Sequence, residues 1–237
     1  AKGIDAVITN ADSTLRADIN IEEIEFAKMT VGGNSLAVSA QKDSLSIGLA
    51  YGGNSENRGK IELNGRLERN ENRINTKVDI MPSALFINGD EWVIPRSSVG
   101  LDNGVIGIDS FEIVSGNQKI WADGTISENR DTLSVGLEGF DLSLMEQILK
   151  YDIGIKGKVT GDVELISPLE SNEIAVDLVC DSTFLAGEPL GKLYMASTWN
   201  EISETFNISA KNELSGKNNI NLVAVLSPKF RTLDAKA

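Results

Sequence analysis

Histidine is absent from this chain of 237 residues. That removes Ser-His-Asp catalysis, Cys-His nucleophiles and His-ligated zinc. There is one cysteine, Cys180, so no internal disulfide can form and cysteine usage does not fix the redox compartment. Cys180 continues the series Ile174, Val176, Leu178 and reads as a small buried apolar group. Aromatic residues are only 5% of the chain, so a dry face must be built mainly from Ile, Val, Leu and Ala. No apolar run reaches the length of a transmembrane helix. P-loop, dinucleotide, Gly-x-Ser-x-Gly and calcium-loop spacings are all missing. Bases are outnumbered, 22 against 35 acids, giving a net charge of −13. That excludes a nucleic-acid backbone as partner and disfavours lying flat on an anionic membrane. Close acidic pairs such as Asp90-Glu91 are expected by chance among so many carboxylates. No catalytic set, metal site or cofactor is expected, and the chain reads as non-enzymatic. Trp92, Trp121 and Trp199 are either core and rim packing or a sugar-binding platform.

What the chain does have is alternation. Leu133, Val135 and Leu137 are apolar between Thr132, Ser134, Gly136 and Glu138. Ile155, Val159, Val163 and Leu165 share one phase with Gly157 and Gly161, while Lys156, Lys158, Thr160, Asp162 and Glu164 take the other. A period of two puts one set on each side of a sheet. The same pattern recurs along the chain and predicts about fifteen short strands, with turn signals roughly every ten residues, in β-meander connectivity. Turns are expected at Asp12-Ser13, Gly32-Gly33-Asn34, Lys42-Asp43, Asn88-Gly89-Asp90, Asp102-Asn103-Gly104 and Gly116-Asn117. Gly52 to Gly59 is the most loop-like stretch. Met81-Pro82-Ser83 should end or bend a strand, because proline cannot donate to the ladder. The apolar run Leu222 to Leu226 suggests cover on both faces or a fragment end. One short helix is expected near 142–150, with Ser143 and Glu146 spaced as a capping box. At under three turns it must dock on the sheet to persist.

Glycines stand in the apolar phase at Gly65, Gly124, Gly157 and Gly161. Glycine inside a strand marks curvature, a bulge or a close approach. Two architectures fit: ordinary coiling over a sandwich core, or a sheet curled into an open trough. An apolar trough would suit acyl chains, each buried CH2 contributing about 0.8 kcal/mol.

The stretch from Leu85 to about Leu226 resembles the TamB family of the AsmA-like superfamily. The resemblance rests on LFINGDEWVIPRSSVGLDNGVIGIDSFEI from Leu85, GNQKIWADGTISENRDTLSVGLEGFDLSLMEQIL from Gly116 and IKGKVTGDVEL from Ile155. In the second, a strand ending Gly-x-Ile-Ser, an Asp-Thr-Leu strand and a Gly-Phe-Asp-Leu-Ser helix start follow one another. These are packing and turn signatures, so no catalytic residue carries over; residues 1–80 share only the β pattern.

The resemblance implies an all-β fold, a long curled antiparallel sheet (a repeating β-groove) with the short helix near 142–150 docked on it. Residues 1–237 would be one continuous elongated segment of a larger envelope-spanning protein, with a sub-boundary near 81–90. Its parent would be anchored in the inner membrane and span the periplasm. The implied function is a lipid conduit to the outer membrane, with phospholipid acyl chains as cargo. The groove face would include Leu133, Val135, Leu137, Val159, Val163 and Leu165, and Val159→Asp should weaken transport. The alternative is a scaffold or chaperone for outer-membrane protein assembly that pairs with client β-strands. An outer-membrane barrel protein of the assembly-factor type would then be a partner through other parts of the parent chain.

Overall fold

A computed structural model describes residues 1–11, 13–26, 29–70, 73–128, 131–144, 154–167, 169, 173–216, 220–227 and 232–236. Among them are eighteen β-strands, paired antiparallel. The strands expected from the alternation form, and they pair as the all-β curled antiparallel sheet that the resemblance implies. The chain divides into two compact units, Ala1–Gly116 with Trp121–Thr125, and Asn117–Ile120 with Ile126–Ala237.

In the first unit β1 (Lys2–Ala11), β2 (Thr14–Phe26), β3 (Met29–Gln41), β4 (Ser44–Tyr51) and β5 (Arg58–Asn70) pair in chain order. Beyond β5 the meander is modified by proline. β6 (Arg73–Ile80) and β7 (Ser83–Ile87) both pair with β5. Leu63 faces Ile80 while Lys60 faces Ala84, so one extra residue is accommodated at Met81–Pro82. This is a bulge, and Met81 N–H still donates to Glu62 O at 2.8 Å. β8 (Asp90–Ile94) pairs with β7, and β9 (Ser97–Asp102) with β6. Ser83 faces Ile94 and Ile80 faces Ser97, so the register is unchanged and Pro82 stands opposite Pro95. Neither has an N–H, so the ladder is interrupted where the two prolines meet. β10 (Val105–Ser115) spans the interruption, pairing with β9 through Ile106 and Ile108 and with β8 through Val114. β11 (Gln118–Ile126) gives its Trp121–Thr125 part to this unit. The expected turns at 88–89 and 103–104 form with positive φ at both central residues, which Asn-Gly tolerates.

The second unit is a meander of β12 (Thr132–Asp141), β13 (Ile155–Ile166), β14 (Glu173–Leu185), β15 (Glu188–Asn200), β16 (Thr205–Glu213), β17 (Asn221–Ser227) and β18 (Thr232–Lys236). Bulges interrupt β12–β13, β13–β14 and β14–β15. Each bends its strand and adds local twist, so they are where curl enters the sheet. Asn212 is buried and bridges strands: its Nδ2 donates to Leu190 O at 2.7 Å and its Oδ1 accepts from Ile220 N at 2.6 Å.

Three local expectations change. Gly32-Gly33-Asn34 is not a turn but lies inside β3, with Gly33 at φ 65°. The reversal falls between Phe26 and Met29, which pair. Asn34 Nδ2 donates to Val31 O and Ile21 O, satisfying carbonyls that the kink withdraws from the ladder. The strand that alternation places at Ile174–Asp181 runs further: β14 passes a bulge at Ser182 (φ 53°) and continues to Leu185. β17 is covered on one face only, since Val223 and Val225 are 54% and 37% exposed. A helical turn begins at Ser143–Leu144, with Asp141 Oδ1 accepting from Ser143 N–H as its cap; residues 145–150 of the expected helix lie outside the described ones.

Candidate functional site: an apolar sheet face

Residues opposite each other in an antiparallel ladder project to the same side. The ladder of the second unit therefore determines which expected groove residues meet. Leu133 faces Leu165, Val135 faces Val163, and Leu137 faces Gly161; past the bulge Phe140 faces Val159. All six sequence-derived groove residues stand on one face. The next strand extends it, with Ile174 opposite Leu165, Val176 opposite Val163 and Leu178 opposite Gly161. Met195, then Ala210, then Leu222 continue one row across β15, β16 and β17. Alternation showed that each strand has a dry phase. It did not show that those phases line up in six-residue rows, because pairing is a long-range property.

The six residues differ in depth. Leu133 and Val159 are buried, and Val159 is 2% exposed. Val135, Leu137, Val163 and Leu165 are half-buried. On the opposite phase Lys156, Lys158, Thr160, Asp162 and Glu164 are all exposed. Ion pairs there, such as Lys119–Glu138 at 2.5 Å and Lys192–Asp181 at 3.4 Å, lie at the surface and add little stability.

The first unit has an equivalent face. Ile8, Ala17, Val38, Ile47, Leu63 and Ile80 form one unbroken row from β1 to β6. It is least covered at β1, where Ile4 and Ile8 are 64% and 69% exposed.

These faces are only partly covered: Val135, Leu137, Val163 and Leu165 stay half-buried in the second unit, and Ile4 and Ile8 are exposed in the first.

No group of acidic and cysteine side chains among the described residues could hold a metal ion. Trp92 is buried, and Trp199 packs on Phe206 with ring centroids 4.7 Å apart, so the tryptophans do not present a common sugar platform. Burial pushes the Cys180 thiol up from its ordinary value, and the Asp181 and Asp141 charges add to that against a hydrogen bond from Thr183. Cys180 is therefore protonated and enclosed. Maleimide labelling of the native protein at pH 8 should be at least ~100-fold slower than in urea, because it requires local opening.

Compared with protein-family models, curated proteins and solved structures, the chain gives no match.

Proposed function

We propose that the half-covered apolar face carries phospholipid acyl chains, and that the chain is a non-enzymatic segment of a TamB-like, periplasm-spanning lipid conduit with an inner-membrane anchor elsewhere in its parent. The observation that carries this is the row structure: Val135, Val163 and Val176 align across three strands yet stay half-open to solvent. An extended apolar strip one side chain deep fits a chain of methylenes better than a compact ligand. Contiguous apolar surface left open on this scale normally marks a binding face.

The test is native mass spectrometry of the purified protein with lipid extraction from the same sample. Phospholipid should be bound, and Val163→Glu should remove it. Since Val163 is half-buried, that variant should keep its far-UV circular dichroism at a cost of about 1 kcal/mol. A clean unliganded mass together with no binding of a hydrophobic dye would reject the conduit.

One feature favours the scaffold alternative. β1 is exposed at all ten positions. A long exposed strand with apolar Ile4, Val7 and Ile8 is the kind that recruits another polypeptide strand. Photocrosslinking from position 8 separates the two, by capturing lipid in the first case and an extended protein strand in the second.

A further inference from the structure

A second site lies on the opposite, wet face of the first unit and is independent of the acyl-chain reading. Ala50 faces Lys60, and Lys60 faces Ala84, so two methyl groups flank the lysine stem in one row. Arg58 faces Phe86 one step along, and its guanidinium stacks on that ring, 3.9 Å from the centroid. Together they line a cavity of about 320 Å³. Its mouth is bounded by Gly53, where even an added Cβ would meet nothing within 4 Å.

The chemistry of this cavity is unlike the rest of the surface. The chain has 35 acids against 22 bases, yet the residues lining the cavity include two cations and no carboxylate. Arg58 is held in place: Nη1 donates to Ser55 O at 2.8 Å and the ring fixes its plane. That commits one of five N–H groups, and a guanidinium locked by stacking offers its remaining edge as a preorganised fork for an oxyanion. Lys60 Nζ lies 2.5 Å from Glu62, but both side chains are largely exposed, and such a pair is weak enough to exchange for a doubly charged ligand. Ala50, Ala84 and Phe86 supply an apolar floor beside the two charges.

We propose that this cavity binds an organic phosphomonoester, with the dianion on Arg58 and Lys60 and its ring or short apolar group on Ala50, Ala84 and Phe86. A carboxylate would use one cation; a phosphomonoester, at a charge of about −1.5 to −2, uses both.

The experiment is NMR and calorimetric titration of the intact chain with phenyl phosphate, inorganic phosphate and dihexanoyl phosphatidic acid. Phenyl phosphate should bind saturably and at least tenfold more tightly than inorganic phosphate, which lacks the apolar contact. Arg58→Lys keeps the charge but loses the fork, and should weaken phenyl phosphate at least tenfold. Ala84→Leu fills the floor and should abolish organic phosphate binding. Tighter binding of the phosphatidic acid would assign the site to a lipid headgroup, and weaker binding to a free phosphate ester. The proposal fails if phenyl phosphate does not saturate, or if it binds equally well to both variants. Should Ala84→Leu lose its circular dichroism, Arg58→Lys alone decides.

Discussion

Val159→Asp is expected to cost about 3–5 kcal/mol, the usual range for an uncompensated charge in a core. Val159 is 2% exposed and stands opposite Phe140 on one side and Cys180 on the other, both buried. The lysines of its own strand, Lys156 and Lys158, belong to the opposite phase. The new carboxylate would therefore be desolvated without a partner, which raises its folded-state pKa above the unfolded value. The sign of the pH effect follows. A carboxyl whose folded pKa is raised is penalised while the unfolded chain is ionised and the folded chain must either ionise or take up a proton. The penalty is full at neutral pH and disappears below the unfolded pKa, so the deficit relative to wild type should narrow as pH falls from 7 towards 4. Urea denaturation at several pH values measures it. A loss under about 1 kcal/mol at pH 7 would show that Val159 is open to water in solution.

This separates two roles within one row of residues. A charge at Val159 tests the core, whereas a charge at Val163 tests the proposed lipid face. The sequence alternation cannot distinguish them, since both are valines in the same phase of one strand. The difference comes from the neighbours: Val159 lies beside the bulge that brings Phe140 into register, and Val163 beside Val135 and Val176.

Local chemistry was legible elsewhere too. β13 occupies Ile155–Ile166 as its alternation requires, and the Asn-Gly turns sit where their dihedral freedom places them. The failures share a cause. Gly33 and Ser182 adopt positive φ inside strands. A left-handed residue within a strand is indistinguishable in sequence from one at a turn, because the backbone preference is the same. The Pro82–Pro95 apposition was hidden for another reason. Each proline is a local break signal, but that they meet across the sheet depends on a register fixed by residues on either side. The cation pair at Arg58 and Lys60 lay in and beside a segment that reads as plain loop, and only the pairing with Ala84 and Phe86 gives it a floor.

Gly161→Ala should cost about 2–4 kcal/mol. Gly161 has φ 141°, a region that side chains rarely enter. A Cβ built there meets the Asp177 carbonyl oxygen and, at 2.9 Å, Leu178 Cα. Both are backbone atoms of β14, the strand paired directly with it, so relief requires moving a strand rather than turning a rotamer. Gly157, in the same phase, makes room in a related way, since its Cβ would meet Cys180 Sγ at 2.6 Å. These glycines let β13 and β14 approach closely beside the bulge between Lys156 and Lys158, which is how the apolar face acquires its local curvature. Gly100→Ala is the control: its φ is ordinary and its Cβ would meet nothing within 4 Å. That variant should stay within about 0.5 kcal/mol of wild type. Equal urea midpoints for the two variants would mean that β13 and β14 are not held at this separation in solution, and the curl would then need another origin. A large loss for Gly161→Ala at an unchanged m-value would instead place the strain in the folded sheet, where the close approach of the two strands locates it.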